Sequence, residues 1–183
     1  MLKRSLLVLG LIVAFASTSF AATNSNVATV ALTATVGSSI TISVTSPIDF
    51  ATVTPGNAVN AATSSATVTA NWNLAPSHTS LKFYAYFSGA NAMSDGAGSN
   101  IPYASFEIKG GDLGTTLTSV NQTGPFSAGN SSLLFKTVAI TGANKVTTGN
   151  TTTLDFNLNL TSQSTLAAGA YTGTLNIQAQ ATP

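Results

Sequence analysis

Catalytic and metal-ligating side chains are few in this 183-residue chain, with one histidine, five carboxylates and no cysteine. His78 lies in the turn-like run Pro76-Ser77-His78-Thr79. A Ser-His-Asp triad needs its histidine held between an acid and a serine, and no Gly-x-Ser-x-Gly elbow is present. Zinc takes nitrogen- and sulfur-rich ligand sets, which one histidine without cysteine does not supply. A carboxylate pair could cleave a glycosidic bond, but Asp49, Asp95, Glu107, Asp112 and Asp155 are scattered. Glu107 sits between Phe106 and Ile108, and Asp155 between Leu154 and Phe156, so both point away from apolar strand faces as solvated acids. The run Asp95-Gly96-Ala97-Gly98-Ser99-Asn100 has oxygens for calcium. It carries a single carboxylate where calcium loops gather several, so it reads as a glycine-rich turn. The expectation is a protein that is not an enzyme and carries no metal or cofactor.

Binding chemistry has one better candidate. Tyr84 and Tyr86 share the face opposite Phe83 and Phe87. Two tyrosines exposed on one strand could stack on sugar rings, unless a loop or a second sheet covers them. Trp72 continues an inward-facing run and belongs to the core.

The elements that would position these residues are strands. Val30, Leu32, Ala34 and Val36 alternate with small or hydroxylated residues, and Ile40, Ile42 and Val44 follow Gly37-Ser38-Ser39. Ile48 and Phe50 lead to a turn at Pro55-Gly56-Asn57. Further alternating runs cover Ala66 to Trp72, Leu81 to Phe87, Phe106 to Ile108, Leu154 to Leu160 and Tyr171 to Ala179. A denser apolar run covers Leu133 to Ile140. Turn residues separate them, among them Thr148-Gly149-Asn150. Period-two runs at such spacing predict an all-β, antiparallel β-sandwich. Residues 89–105 and 110–132 read as long surface loops.

The start of the chain predicts export. Lys3 and Arg4 precede the apolar run Leu6 to Phe15, and Ser19 and Ala21 give small residues three and one before a cut after Ala21. This is a secretory signal pattern, with an apolar stretch shorter than the ~20 residues of a spanning helix. Residues 1–21 are thus expected to be a signal peptide and residues 22–183 a single sandwich domain, without a membrane span after cleavage. The destination is secreted: periplasm, cell surface or extracellular space. Without Lys3 and Arg4, four basic side chains face five acidic ones, a net charge near −1. No basic patch supports nucleic-acid binding.

Two stretches carry a family resemblance. Residues 30–56, VALTATVGSSITISVTSPIDFATVTPG, and residues 166–179, LAAGAYTGTLNIQA, resemble the opening and closing segments of spore-coat-U-type and chaperone–usher pilin-like domains. The opening pattern has hydrophobic-x-Phe-Gly-x-hydrophobic, and Phe50-Ala51 stands at its Phe-Gly. The closing pattern has Gly-x-Tyr before an alternating last strand. The chain lacks the frequent second-strand cysteine and the aromatic next to the C-terminus. The resemblance implies an immunoglobulin-like, pilin-like sandwich serving as a structural subunit of a surface fibre or coat. Its partners would be itself, as a homopolymer, or an export chaperone. Such subunits lack one strand and receive it from a neighbour's N-terminal extension. The candidate donor is Asn24 to Val36, burying Val30, Leu32, Ala34 and Val36. The other reading makes this segment the first strand of its own sheet, which the short link Gly37-Ser38-Ser39 favours. The alternative function is a monomeric secreted binding module for carbohydrate or a surface partner.

Overall fold

Strands form here because β-branched and aromatic side chains fall on every second residue. The computed structural model describes residues 29–45, 47–127 and 129–183. The chain divides into two units, Met1–Thr35 and Val36–Pro183. The expected signal peptide, its cleavage point and the first residues of the Asn24 to Val36 segment lie outside the described residues. Residues 29–35 of the first unit have no regular secondary structure and are exposed.

In the second unit the strands are β1 (Ser39–Val44), β2 (Ala66–Asn73), β3 (Ser80–Tyr86), β4 (Asn91–Ser94), β5 (Asn100–Pro102), β6 (Phe106–Gly110), β7 (Thr118–Ser119), β8 (Ser132–Ala139), β9 (Val146–Leu158) and β10 (Asn176–Thr182). Two single-turn 3-10 helices, Tyr103–Ser105 and Gly111–Leu113, flank β6. One sheet has the order β1-β2-β9-β6-β7, a second β10-β3-β8, and β4-β5 is a separate hairpin. All pairings are antiparallel.

The inner faces meet in one core. Val68, Ala70 and Trp72 from β2 and Leu154, Phe156 and Leu158 from β9 are buried, as are Leu81, Phe83 and Ala85 from β3 and Leu133 and Phe135 from β8. Trp72 packs edge-on to Phe83 with ring centres 6.4 Å apart, and Phe87 packs edge-on to Phe106 at 5.2 Å, a geometry that aromatic quadrupoles favour. The Trp72 indole N–H donates to the Asn144 carbonyl at 2.8 Å, so the buried ring leaves no polar atom unmatched. The molecule is an all-β antiparallel sandwich, and Trp72 is core, as its alternation indicates.

Four local expectations are corrected. The strand expected at Val30, Leu32, Ala34 and Val36 is not formed, and Val30, Leu32 and Val36 are 81%, 90% and 77% exposed. Alternation fits a segment to be a strand, but only a partner edge makes it one. The run from Tyr171 to Leu175 likewise stays outside the ladder, which begins at Asn176. Thr148-Gly149-Asn150 is no turn, because β9 runs through it. The register on β2 slips between Ala70 and Trp72, Gly149 takes φ +66°, and its N–H bonds Asn71 Oδ1 at 2.7 Å. Glycine in a left-handed conformation is how a bulge absorbs extra residues without ending a strand. Finally, the supposed loop 89–105 contains the β4-β5 hairpin, turning through Gly96 and Gly98 at positive φ.

Candidate functional site

The two sheets part along one side. β1 pairs only with β2 and β10 only with β3, so each leaves one edge unpaired. Parts of residues 47–55 and 166–177 line the space beside these edges. Among the described residues no strand pairing joins them. The space between them is lined by apolar side chains together with polar backbone and side-chain atoms. One cavity, of about 320 Å³, is walled by Val44, Ile48, Phe50, Leu175 and Ile177 and floored by Ala66, Phe87, Phe106 and Phe156. A second, of about 540 Å³, adjoins it through Ile48, Phe50 and Met93, and continues to Val53, Leu158, Leu166 and Tyr171. Together they form a groove that opens onto the core.

The first wall is shaped by a backbone exception. Ala51 has φ +50°, the one described residue other than glycine at positive φ. Asp49 Oδ1 accepts the Ala51 N–H at 2.8 Å and fixes this turn. A left-handed conformation costs a residue with a Cβ about 1–2 kcal/mol, and glycine's extra unfolded-state freedom offsets about 0.5–1 kcal/mol of that. Ala51→Gly is therefore expected to stabilise the domain by roughly 0.5–1 kcal/mol, read as a higher urea midpoint with unchanged slope.

The same wall is pinned from behind by two buried asparagines. Asn60 N–H donates to Asn157 Oδ1 at 2.8 Å, and Asn60 Nδ2 donates to the Leu158 carbonyl at 3.0 Å. Asn60 Oδ1 accepts the Thr54 N–H at 2.7 Å. Asn157 Nδ2 donates to the Ala58 carbonyl at 3.0 Å and to Glu107 Oε2 at 2.7 Å. Asn157 is legible in the sequence only as the outward neighbour of Phe156 and Leu158. It is buried because residues 58–62 cross over it, with an isolated bridge from Ala61. Truncation would leave the buried Asn60 N–H unmatched, at about 1–3 kcal/mol, and would strip the Ala58 carbonyl and Glu107, both nearer solvent, of a donor. Asn157→Ala is expected to lose roughly 2–3 kcal/mol in chemical denaturation. Asn159→Ala, at a half-exposed position just beyond the same strand, should lose much less.

The tyrosines are together but not bare. Tyr84 and Tyr86 are half-buried on the outer face of β3, with ring centres 5.7 and 5.8 Å from that of Phe126. The Tyr86 hydroxyl donates to Gln178 Oε1 at 3.1 Å. Phe126, from the loop before β8, covers the pair, and nothing in its local pattern marks it as a lid.

Several of the remaining ionic residues have structural tasks. Asp95 Oδ1 accepts the Ala97 and Ser99 N–H groups at 2.8 and 2.9 Å, and the Ala97 bond above all holds its carboxyl below the usual aspartate range. Glu107 is held by Asn157 and Asn159. Asp155 faces Lys109 at 3.7 Å. His78 closes a turn on the Ala75 carbonyl. Among the described residues no three histidines or carboxylates cluster as a metal site, and no helix is long and apolar enough to cross a membrane. Val30, Leu32, Ala34 and Val36 lie on exposed chain. In comparisons with known proteins, no family model matches the chain, and no curated protein or solved structure is similar to it.

Proposed function

We propose that this chain is an exported structural subunit that assembles by strand addition. The groove of one copy receives the segment from Val30 to Val36 of another. The observation that carries this reading is a complementary pair: a groove with apolar side chains in its lining beside two unpaired strand edges and an exposed, alternating apolar segment without a ladder. Backbone groups on the free edge of β10 would supply hydrogen bonds, and Val30, Leu32, Ala34 and Val36 would fill the groove. The sandwich is then immunoglobulin-like and pilin-like, short of one strand. Ala51 supports this, since its left-handed position is where the resembling pattern carries glycine. Export through the N-terminal signal would deliver the subunit to the periplasm, cell surface or medium. An export chaperone that covers the groove before assembly fits the same surface. No catalytic role enters this reading.

The monomeric carbohydrate-binding reading draws on the cluster of Tyr84, Tyr86 and Phe126. It stands second because Phe126 packs against both tyrosine rings. Size in solution separates the two. The exported form should run as a ladder of polymers. A chain that stays monomeric at every concentration, alone and with any chaperone removed, would overturn the assembly reading.

A further inference from the structure

A lysine is turned inward where the core gives way to polar residues. The register of β8 on β3 slips between Phe83 and Tyr84, so Lys136 stands opposite Phe83 and Phe135 is the extra residue. Cross-strand partners share a face, and Phe83 faces the core. The slip therefore turns Lys136 to the inside along with Phe135. Across the sandwich, the core face of β9 runs back from Phe156 and Leu154 through Thr152 to Asn150. Lys136 Nζ reaches it, donating to Asn150 Oδ1 at 2.7 Å and to Thr152 Oγ1 at 2.6 Å. The amine lies 5.9 Å from the centre of the Phe83 ring. The contact joins different sheets, since β8 belongs to one and β9 to the other. Asp112, in the 3-10 turn beside β8, accepts the Thr137 N–H through Oδ2 at 2.7 Å, next in sequence to Lys136.

We propose that Lys136 and Asn150 are the two halves of an intramolecular amide cross-link that ties the sheets together. An amine in contact with an amide oxygen is one bond from that amide's carbon, close to a geometry for attack. Neutral Nζ adds to Cγ of Asn150, and the Cγ–Nδ2 bond breaks. One Nζ proton passes to Nδ2, which leaves as ammonia. Amine plus carboxamide gives secondary amide plus ammonia, with no oxidant, reductant or outside reactant. Burial favours the neutral amine by lowering the Lys136 pKa from the usual lysine value, against a smaller opposing pull from Asp112. In a chain without cysteine, such a link is the covalent closure that a disulfide supplies elsewhere.

Mass spectrometry of the purified full-length product tests this. Trypsin cutting after Lys109 and Lys145 should release residues 110–145 joined to residues 146–183, uncut at Lys136 and lighter than their sum by one ammonia. This readout is independent of where the N-terminus begins. Lys136→Arg and Asn150→Ala should each abolish the joined species. Separate fragments of full mass from the wild type would overturn the proposal. So would an ammonia loss that persists in Lys136→Arg, which would mark an asparagine that cyclised on its own backbone.

Discussion

Leu32→Asp is expected to abolish assembly while leaving the monomer's thermal midpoint unchanged. Leu32 is 90% exposed, and a substitution at such a position ordinarily shifts stability by less than about 0.5 kcal/mol. In an occupied groove the same side chain would be buried. Replacing it forfeits about 2–3 kcal/mol of apolar burial and adds several kcal/mol for desolvating an unpaired carboxylate. A combined loss of about 5 kcal/mol weakens each subunit contact by more than a thousandfold. Light scattering or a non-denaturing gel should show monomer in place of a ladder, and Leu32→Val should retain the ladder. The opposite pattern, a Leu32→Asp variant whose monomer melts several degrees lower with no change in size distribution, would mean that the segment completes its own domain.

What is legible in the sequence and what is not divide along a physical line. Runs such as Ala66, Val68, Ala70 and Trp72 announce both strand and buried face, because the pleat and the core impose the same period. All four are buried on β2. The runs at Val30 to Val36 and Tyr171 to Leu175 have the same period but no ladder, because period reports fitness for an edge and not whether a partner is present. The groove itself is therefore not legible, since it is the space left by a missing partner. Asn157 reads as surface because its covering segment, residues 58–62, comes from about a hundred residues earlier. Asn150 is hidden differently: Thr148-Gly149-Asn150 has the composition of a turn, and only the bulge at Gly149 carries the strand through it. Lys136 sits in a run dense enough to suggest burial on both sides, yet Thr137 and Ala139 are exposed. The register slip, which leaves no mark in composition, turns the lysine inward.

Gly173→Ala tests the wall of the groove from within. Gly173 follows Thr172, whose N–H and carbonyl exchange bonds with Ser94 at 2.9 Å each. A Cβ on Gly173 would overlap the Ala92 carbonyl oxygen and crowd the Met93 Cα. Both obstacles are backbone atoms, so no side chain can swing aside. Gly173 is not at positive φ, and the penalty is thus one of space rather than of conformation. Relief requires residues 172–174 to move away from β4, straining or breaking the two bonds with Ser94. Overpacking of about 1–3 kcal/mol and about 1 kcal/mol for each lost bond together predict a loss of roughly 3–5 kcal/mol. At about 2–4 °C per kcal/mol for a domain of this size, the thermal midpoint should fall by roughly 10 °C. Gly169→Ala is the control, because its Cβ would meet only the Asp95 side chain, with Cβ at an ordinary 3.7 Å. The same displacement moves Ala92, Met93, Thr174 and Leu175, all of which line the first cavity. If that cavity holds a neighbour's strand, polymers of the alanine variant should dissociate below the temperature at which its monomer unfolds. A variant with wild-type melting would show that residues 172–174 and β4 are not in this close approach.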